Sequence, residues 1–256
     1  MNTNSSPAIE TTCDAFIGGK ITIIQAKTGP RAGTDSVLLA ASIPAASGQN
    51  ILEAGIGSGV VSLCLAGRIG ELSITGVELQ PELATIAREN ASRNNQNNFN
   101  VVEGNVTGSG NSWKAMGLTP DSFDHTFANP PFYNQLHSRK PKDPVKAQAH
   151  MHNADELERW VRFLITHTRP KGSITIVHTP EILGKLLGFF ERRVGNIRIY
   201  PIYSKKGQPA SRMLVQGIKS SKGPLQIEPG LIMHDETGAF TPKAASILRD
   251  GAALID

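Results

Sequence analysis

The sequence predicts an α/β fold, a mostly parallel sheet with helices on both faces. Three observations carry that prediction. Short apolar runs alternate with helix-period segments from about residue 51 to 190, the first run ends in a glycine-rich turn, and two apolar runs near the C-terminus follow one another with no helix between them.

The elements follow in order. Residues 15–24 read as two short strands around Gly18-Gly19, an N-terminal β-hairpin extension. Thr34 or Asp35 can cap a helix through Val37–Ala41 that Pro44 ends. Strands are expected at 51–55, 73–78, 99–103, 123–128 and 172–178, with helices at 60–66, 81–91, 154–168 and 180–190. Pro81 suits a first helical turn, and Asn94-Asn95 mark that helix's exit. Residues 197–203 and 212–217 form a closing antiparallel hairpin, and the tail carries an apolar segment at 230–234 and a weak terminal helix. Residues 1–13 are expected to be disordered, followed by a single domain over 14–256. Within it, 14–48 is a hairpin and helix extension packing as an accessory lid, 49–223 is the core and 224–256 is a tail.

The 256 residues are 39% hydrophobic and 19% charged, enough apolar material for one large domain. Two cysteines, Cys13 and Cys64, exclude a disulfide scaffold, and His150 and His152 lack a third ligand at metal spacing. No apolar run reaches the ~18–20 residues of a membrane span, and the first residues lack signal-peptide character, so a cytoplasmic protein without membrane partner or metal is expected. Net charge is +4, unevenly spread: residues 1–138 hold 7 Lys+Arg and 11 Asp+Glu, residues 139–256 hold 19 and 11. A basic half on an acidic half suggests a polyanionic partner, RNA or DNA first; solubility alone is the plainer alternative.

Glu53-Ala54-Gly55-Ile56-Gly57-Ser58-Gly59 sits where a strand turns into a helix. The spacing is G-x-G-x-G, not the dinucleotide G-x-G-x-x-G, and Glu53 disfavours a pyrophosphate there while suiting a cationic ligand. Glu78, ending the next strand and followed by Leu79, is placed to accept from both hydroxyls of a ribose. A ribose, an adenine and an ammonium-bearing tail without phosphates describe S-adenosylmethionine; NAD is the rival ligand.

Asn129-Pro130-Pro131-Phe132 follows the fourth strand of the parallel series. Its prolines fix the backbone, so a planar target bearing an exocyclic NH₂ can donate to the Asn129 side-chain oxygen and the Pro130 carbonyl. Phe132 can stack on the target ring.

With those residues in hand, the chain resembles the class I S-adenosylmethionine-dependent amino-methyltransferases of the Asn-Pro-Pro-Tyr/Phe group. Within that group it is most similar to the bacterial valine-tRNA adenine-N6 methyltransferase family. The resemblance spans about residues 14–253 and includes Lys27–Asp35, the glycine turn, Asn129–Phe132 and Gly207–Arg212. It implies a Rossmann-like, seven-stranded sheet, S-adenosylmethionine as methyl donor, and tRNA adenine N6 as acceptor. Arg31, Gly33, Thr34 and Asp35 would lie over the donor's methionine side, Asn105-Val106 would face its adenine, and Asn129 would border the donor as well as the target. Two positions differ from the family pattern: Phe132 stands for the usual Tyr, and Asn105 for the usual Asp, whose role the Asn side-chain carbonyl would take. Guanine N2, a protein glutamine amide and a small amine remain alternative acceptors, and an RNA-binding module without turnover remains the non-enzyme alternative.

A long polar loop follows the motif, with Tyr133, Arg139, Lys140 and Lys142; with Lys205, Lys206 and Arg212 it would grip phosphates. Cys64, Trp113 and Trp160 read as packing residues.

Overall fold

A computed structural model describes residues 10–27, 31–131 and 144–255, with backbone only for 144–154. Its centre is a nine-stranded sheet. Strand β3 (Asn50–Ala54) pairs in parallel with β4 (Ser73–Glu78) on one side and β6 (Phe123–Ala128) on the other. Beyond β4 lies β5 (Phe99–Glu103), and beyond β6 lies β7 (Thr168–His178), both parallel. Strand β9 (Ala210–Lys219) then runs antiparallel between β7 and β8 (Val194–Lys205). These seven strands are the expected core. Two short tail segments, β10 (Gln226–Ile227) and β11 (Leu231–His234), extend it by pairing along the outer edge of β8.

The central strands are buried on both faces: Ile51, Leu52 and Ala54 are completely covered. One face carries α1 (Thr34–Ser42), α2 (Val60–Ile69) and the C-terminal tail. The other carries α4 (Gly110–Ala115), α5 (Pro144–His167) and α6 (Leu183–Phe190), and on α5 Leu157, Val161 and Leu164 are buried at helical spacing. Helix α3 (Pro81–Arg93) bridges β4 and β5, and it ends at Asn94 with Asn95 at φ 56°. Cys64, Trp113 and Trp160 are buried, as read.

Several details differ from the sequence reading: α5 begins at Pro144, ten residues before the expected start and inside the expected polar loop, and β7 begins at Thr168, four residues early. Residues 11–13 are not frayed: they belong to β1 (Thr11–Phe16), paired with 24–26 of β2 (Ile21–Ala26). Neither Thr34 nor Asp35 caps α1; Gly33 is the cap residue and makes no side-chain bond. Helix α4, not expected, is announced by Ser109, whose hydroxyl accepts from the Ser112 N–H.

The N-terminal hairpin docks on α2 and α3. Asn90 of α3 and Asn94, which caps its end, act as a missing strand neighbour for β2: Asn90 Oδ1 accepts from the Ile24 N–H (2.7 Å), its Nδ2 donates to the Ile24 carbonyl (2.8 Å), and Asn94 repeats the pattern at Thr22. An open strand edge is thereby closed by two amides one helical turn apart. Among the described residues no helix is long and apolar enough to cross a membrane.

Candidate active site

From β3 the chain passes outward to β4 and β5, then returns to β6 on the opposite side of β3. Strand order reverses between β3 and β6, and a crevice opens there at the carboxyl ends of the strands. Because Ala54 is paired with Ala128, the glycine turn after β3 and the Asn129 turn after β6 stand side by side at that crevice.

Gly55, Gly57 and Gly59 have φ of 67°, 57° and 86°, a left-handed region that residues with a Cβ avoid. At Gly55 there is a second requirement: a Cβ would lie 2.5 Å from the Trp160 ring. The turn delivers α2 with its first N–H groups facing the carboxyl end of β3.

A cavity of about 160 Å³ lies in the crevice, lined by Arg31, Ala32, Ser36, Glu53, the 55–58 turn, Val60, Val61 and Asn129. Glu53 is 2% exposed. Its Oε2 accepts from the Ser62 hydroxyl (2.5 Å) and backbone N–H (3.2 Å), in the first turn of α2, while no described residue bonds Oε1. Burial pushes the Glu53 carboxyl up to about 8, against the Ser62 bonds that favour the ionised form; nearby Glu78 pushes it further up. Without a cation beside it, this carboxyl is therefore mostly protonated near neutral pH. The expected negative charge at Glu53 is conditional on its ligand, since an adjacent ammonium favours ionisation. A buried carboxyl with one engaged oxygen, opening on a cavity, fits the cationic end of S-adenosylmethionine.

Glu78 is equally enclosed, at 6% exposure. Oε2 accepts from the Gly57 N–H (2.8 Å) and Oε1 from the Gln80 N–H (2.9 Å), so Glu78 first braces the glycine turn. Each oxygen retains a second lone pair for a ligand hydroxyl. Beside it Leu79 is 63% exposed, a large apolar side chain open to a flat ring.

At the end of β5 the structure corrects one expectation. Asn105 Oδ1 accepts from both the Thr107 N–H (2.8 Å) and its hydroxyl (2.7 Å), which uses both carbonyl lone pairs. What Asn105 can offer a ligand is its NH₂, a donor suited to a ring nitrogen and not to an amino group. Val106 is buried behind it.

Of 31–35, Arg31 lines the cavity but Gly33, Thr34 and Asp35 do not. Arg31 is tethered to the hairpin by Asp14 (2.6 Å) and Thr12 (2.8 Å). Asp35 instead accepts from Arg212 Nε at 2.8 Å, so two residues assigned to donor and RNA respectively are partners of each other. Pro130 is buried and Pro131 exposed. Asn129 is half-buried, and among the described residues none hydrogen-bonds its side chain. Lys205 and Lys206 lie exposed at the end of β8. Phe132, Tyr133, Arg139, Lys140 and Lys142 fall outside the described residues, and His150 and His152 lie where only backbone is described.

Ser62 and Asn90 were not foreseen. Asn90 is completely buried, and its Nδ2 also donates to the Ser58 carbonyl (2.8 Å) inside the glycine turn. The available signal was an amide placed among Ile86, Ala87 and Ala91 on the apolar stripe of α3.

Comparison with known proteins is consistent with this geometry. A tRNA1(Val) (adenine(37)-N6)-methyltransferase of Aeromonas salmonicida is 27% identical over 221 residues, 83% of this chain and 86% of that protein. The enzyme of the same name from Trichodesmium erythraeum is 24% identical over 241 residues, covering 90% and 94%. Among solved structures, a predicted O-methyltransferase from Agrobacterium tumefaciens superposes with a TM-score of 0.70 at 25% identity, covering 86% of this chain and 97% of that one. A Thermus thermophilus 16S rRNA N2 G1207 methyltransferase in complex with AdoMet and guanosine shares the fold, with a TM-score of 0.57 at 18% identity over 86% of this chain and 53% of that one. The family model described as the methyltransferase small domain matches residues 30–181. Since that match runs from the segment before α1, through both crevice turns, to just short of α6 and takes in more than half of the chain, the chain belongs to the methyltransferase small domain family.

Proposed function

We propose that this methyltransferase uses S-adenosylmethionine to methylate the N6 amino group of an adenine in tRNA. The observation that carries the reading is Asn129: a polar side chain with no described protein partner, on the rim of the crevice, one strand away from the glycine turn. The names of the curated relatives support adenine in a valine tRNA as the acceptor.

When bound, S-adenosylmethionine supplies a methyl group on a sulfonium, whose departure leaves a neutral thioether. The chain's own residues do the positioning. Glu53 Oε1 would meet the donor's ammonium, Glu78 would offer its remaining lone pairs to the ribose hydroxyls, and Asn105 would donate to a ring nitrogen. The Asn129 carbonyl oxygen and the Pro130 carbonyl accept the two amino N–H bonds of the target. That grip turns the nitrogen lone pair toward the methyl group, and one N–H proton leaves to solvent after transfer. Orientation and fixed dipoles provide the acceleration. A base buried in a folded RNA must be splayed out to reach this turn.

The test is transfer of labelled methyl from S-adenosylmethionine to total RNA and total protein from cells lacking this chain, with mapping of the modified nucleotide. Label in N6-methyladenine of tRNA is the expected result. Label in guanine or in a glutamine amide overturns the acceptor assignment.

A further inference from the structure

Strands β6, β8 and β11 point the same way, because β9 is antiparallel to both β7 and β8, and β11 is parallel to β8. Their carboxyl ends therefore share one edge of the sheet. Asn129 follows β6 on this edge, and four strand spacings away, about 19 Å at ~4.8 Å each, β11 ends in His234. A second, larger concavity of about 670 Å³ opens there. Lys205, Lys206, Ile232 and His234 are among the residues that line it. The His234 ring is stacked on Phe240 at 4.8 Å with only 25° between the planes, and its Nδ1 lies 3.2 Å from the Ser204 carbonyl. One imidazole in the lining of the cavity is thus held by a ring stack and a backbone carbonyl.

The cavity's charge is mixed. Glu236 and Asp235 oppose the two lysines, but Asp235 is committed to its own turn, accepting from the Thr237 hydroxyl and from the N–H groups of Thr237 and Ala239. Such a site does not suit a bare phosphate. It suits the aromatic face of a nucleobase, with the exposed lysines reaching the phosphates on either side.

Resting on the proposed RNA substrate, we propose that this concavity is a second nucleotide subsite. It takes an unstacked base of the same RNA strand onto His234 while the target base occupies the Asn129 turn. Single-stranded loops are where RNA bases are free to splay onto aromatic rings in this way.

The experiment measures binding of a short RNA stem-loop with an adenine-containing loop to the full chain, by fluorescence anisotropy at several salt concentrations. His234→Ala is expected to weaken binding about 5- to 150-fold, the range for loss of one base stack, while His234→Phe retains it. Replacing Lys205 and Lys206 together by Ala is expected to flatten the salt dependence by about 1.4 in log–log slope, at ~0.7 per phosphate contact on a single strand. Calorimetric affinity for S-adenosylmethionine stays unchanged in all variants, which excludes misfolding. If the wild-type chain binds the stem-loop and both the alanine variants bind it equally well, the subsite is wrong and the RNA reading stands. If the wild-type chain binds no RNA at low salt, the reading beneath it falls.

Discussion

Arg212 Nε lies 2.8 Å from Asp35 Oδ2, joining strand β9 to the first turn of helix α1 across 177 residues of sequence. Both side chains are about a quarter exposed, so the pair is partly shielded from solvent. It fixes the end of α1 whose next residue, Ser36, lines the crevice. Asp35→Asn and Arg212→Gln are each expected to lower unfolding stability by about 1–2 kcal/mol, with about 1 kcal/mol of coupling in the double variant. Denaturant titration of the four proteins checks this; strictly additive losses would leave the pair without energetic meaning.

Glu53 makes stability and ligand affinity depend on pH in opposite directions. In the unfolded chain its carboxyl ionises near 4.5, in the folded chain near 8. Between those values the folded chain holds a proton that the unfolded chain has released, so stability is full below the window and declines as pH rises through it. A cationic ligand favours the ionised carboxylate, so its affinity climbs with pH over the same range and its binding near neutrality releases a proton. Calorimetry in buffers of different ionisation enthalpy reads that proton directly. Glu53→Gln abolishes both effects, and a buffer-independent binding enthalpy in the wild type would contradict the assignment.

Asn129→Ala removes the side-chain acceptor proposed for the target amine, at the rim of the cavity proposed for the methyl donor. Turnover is expected to fall about 10²–10³-fold, the scale seen when one transition-state hydrogen bond is deleted. Affinity for S-adenosylmethionine, measured separately, hardly moves. Near-normal turnover would move the target site elsewhere.

Gly55→Ala tests the glycine turn by packing. The new methyl group would meet the Trp160 ring at 2.5 Å while the backbone is held at φ 67°. Steric overlap and the left-handed backbone together cost about 2–4 kcal/mol. Shortening the neighbour in a Gly55→Ala, Trp160→Leu protein is expected to cost less than the two single losses added together. A thermally neutral Gly55→Ala would show that the turn has room to spare.

The sheet was legible because its evidence is local: apolar runs of strand length, each closed by a turn residue, and Pro81 at a helix start. The two crevice turns were legible for the same reason, since glycine and proline constrain the backbone where they stand. What escaped depends on partners distant in sequence or on very short elements. Nothing near Asp35 announces Arg212, and nothing near Glu53 announces that Ser62 and burial will hold its proton. Asn105 is the local exception: it looked like a substitute acceptor, but an Asn that closes a turn on Thr107 two residues away reads the same in sequence as one left free for a ligand. Strands β10 and β11, of two and four residues, carry too little periodicity to be separated from loop.

Asn90 holds the β2 backbone at Ile24 and the glycine turn at Ser58 with a single side-chain amide. Opening either side strips a hydrogen bond from a fully buried group, so the two segments open together as one cooperative unit. Occupancy of the crevice is therefore legible at a distance: ligand added to the glycine turn is expected to slow amide exchange at Ile24, in a hairpin none of whose residues lines the cavity.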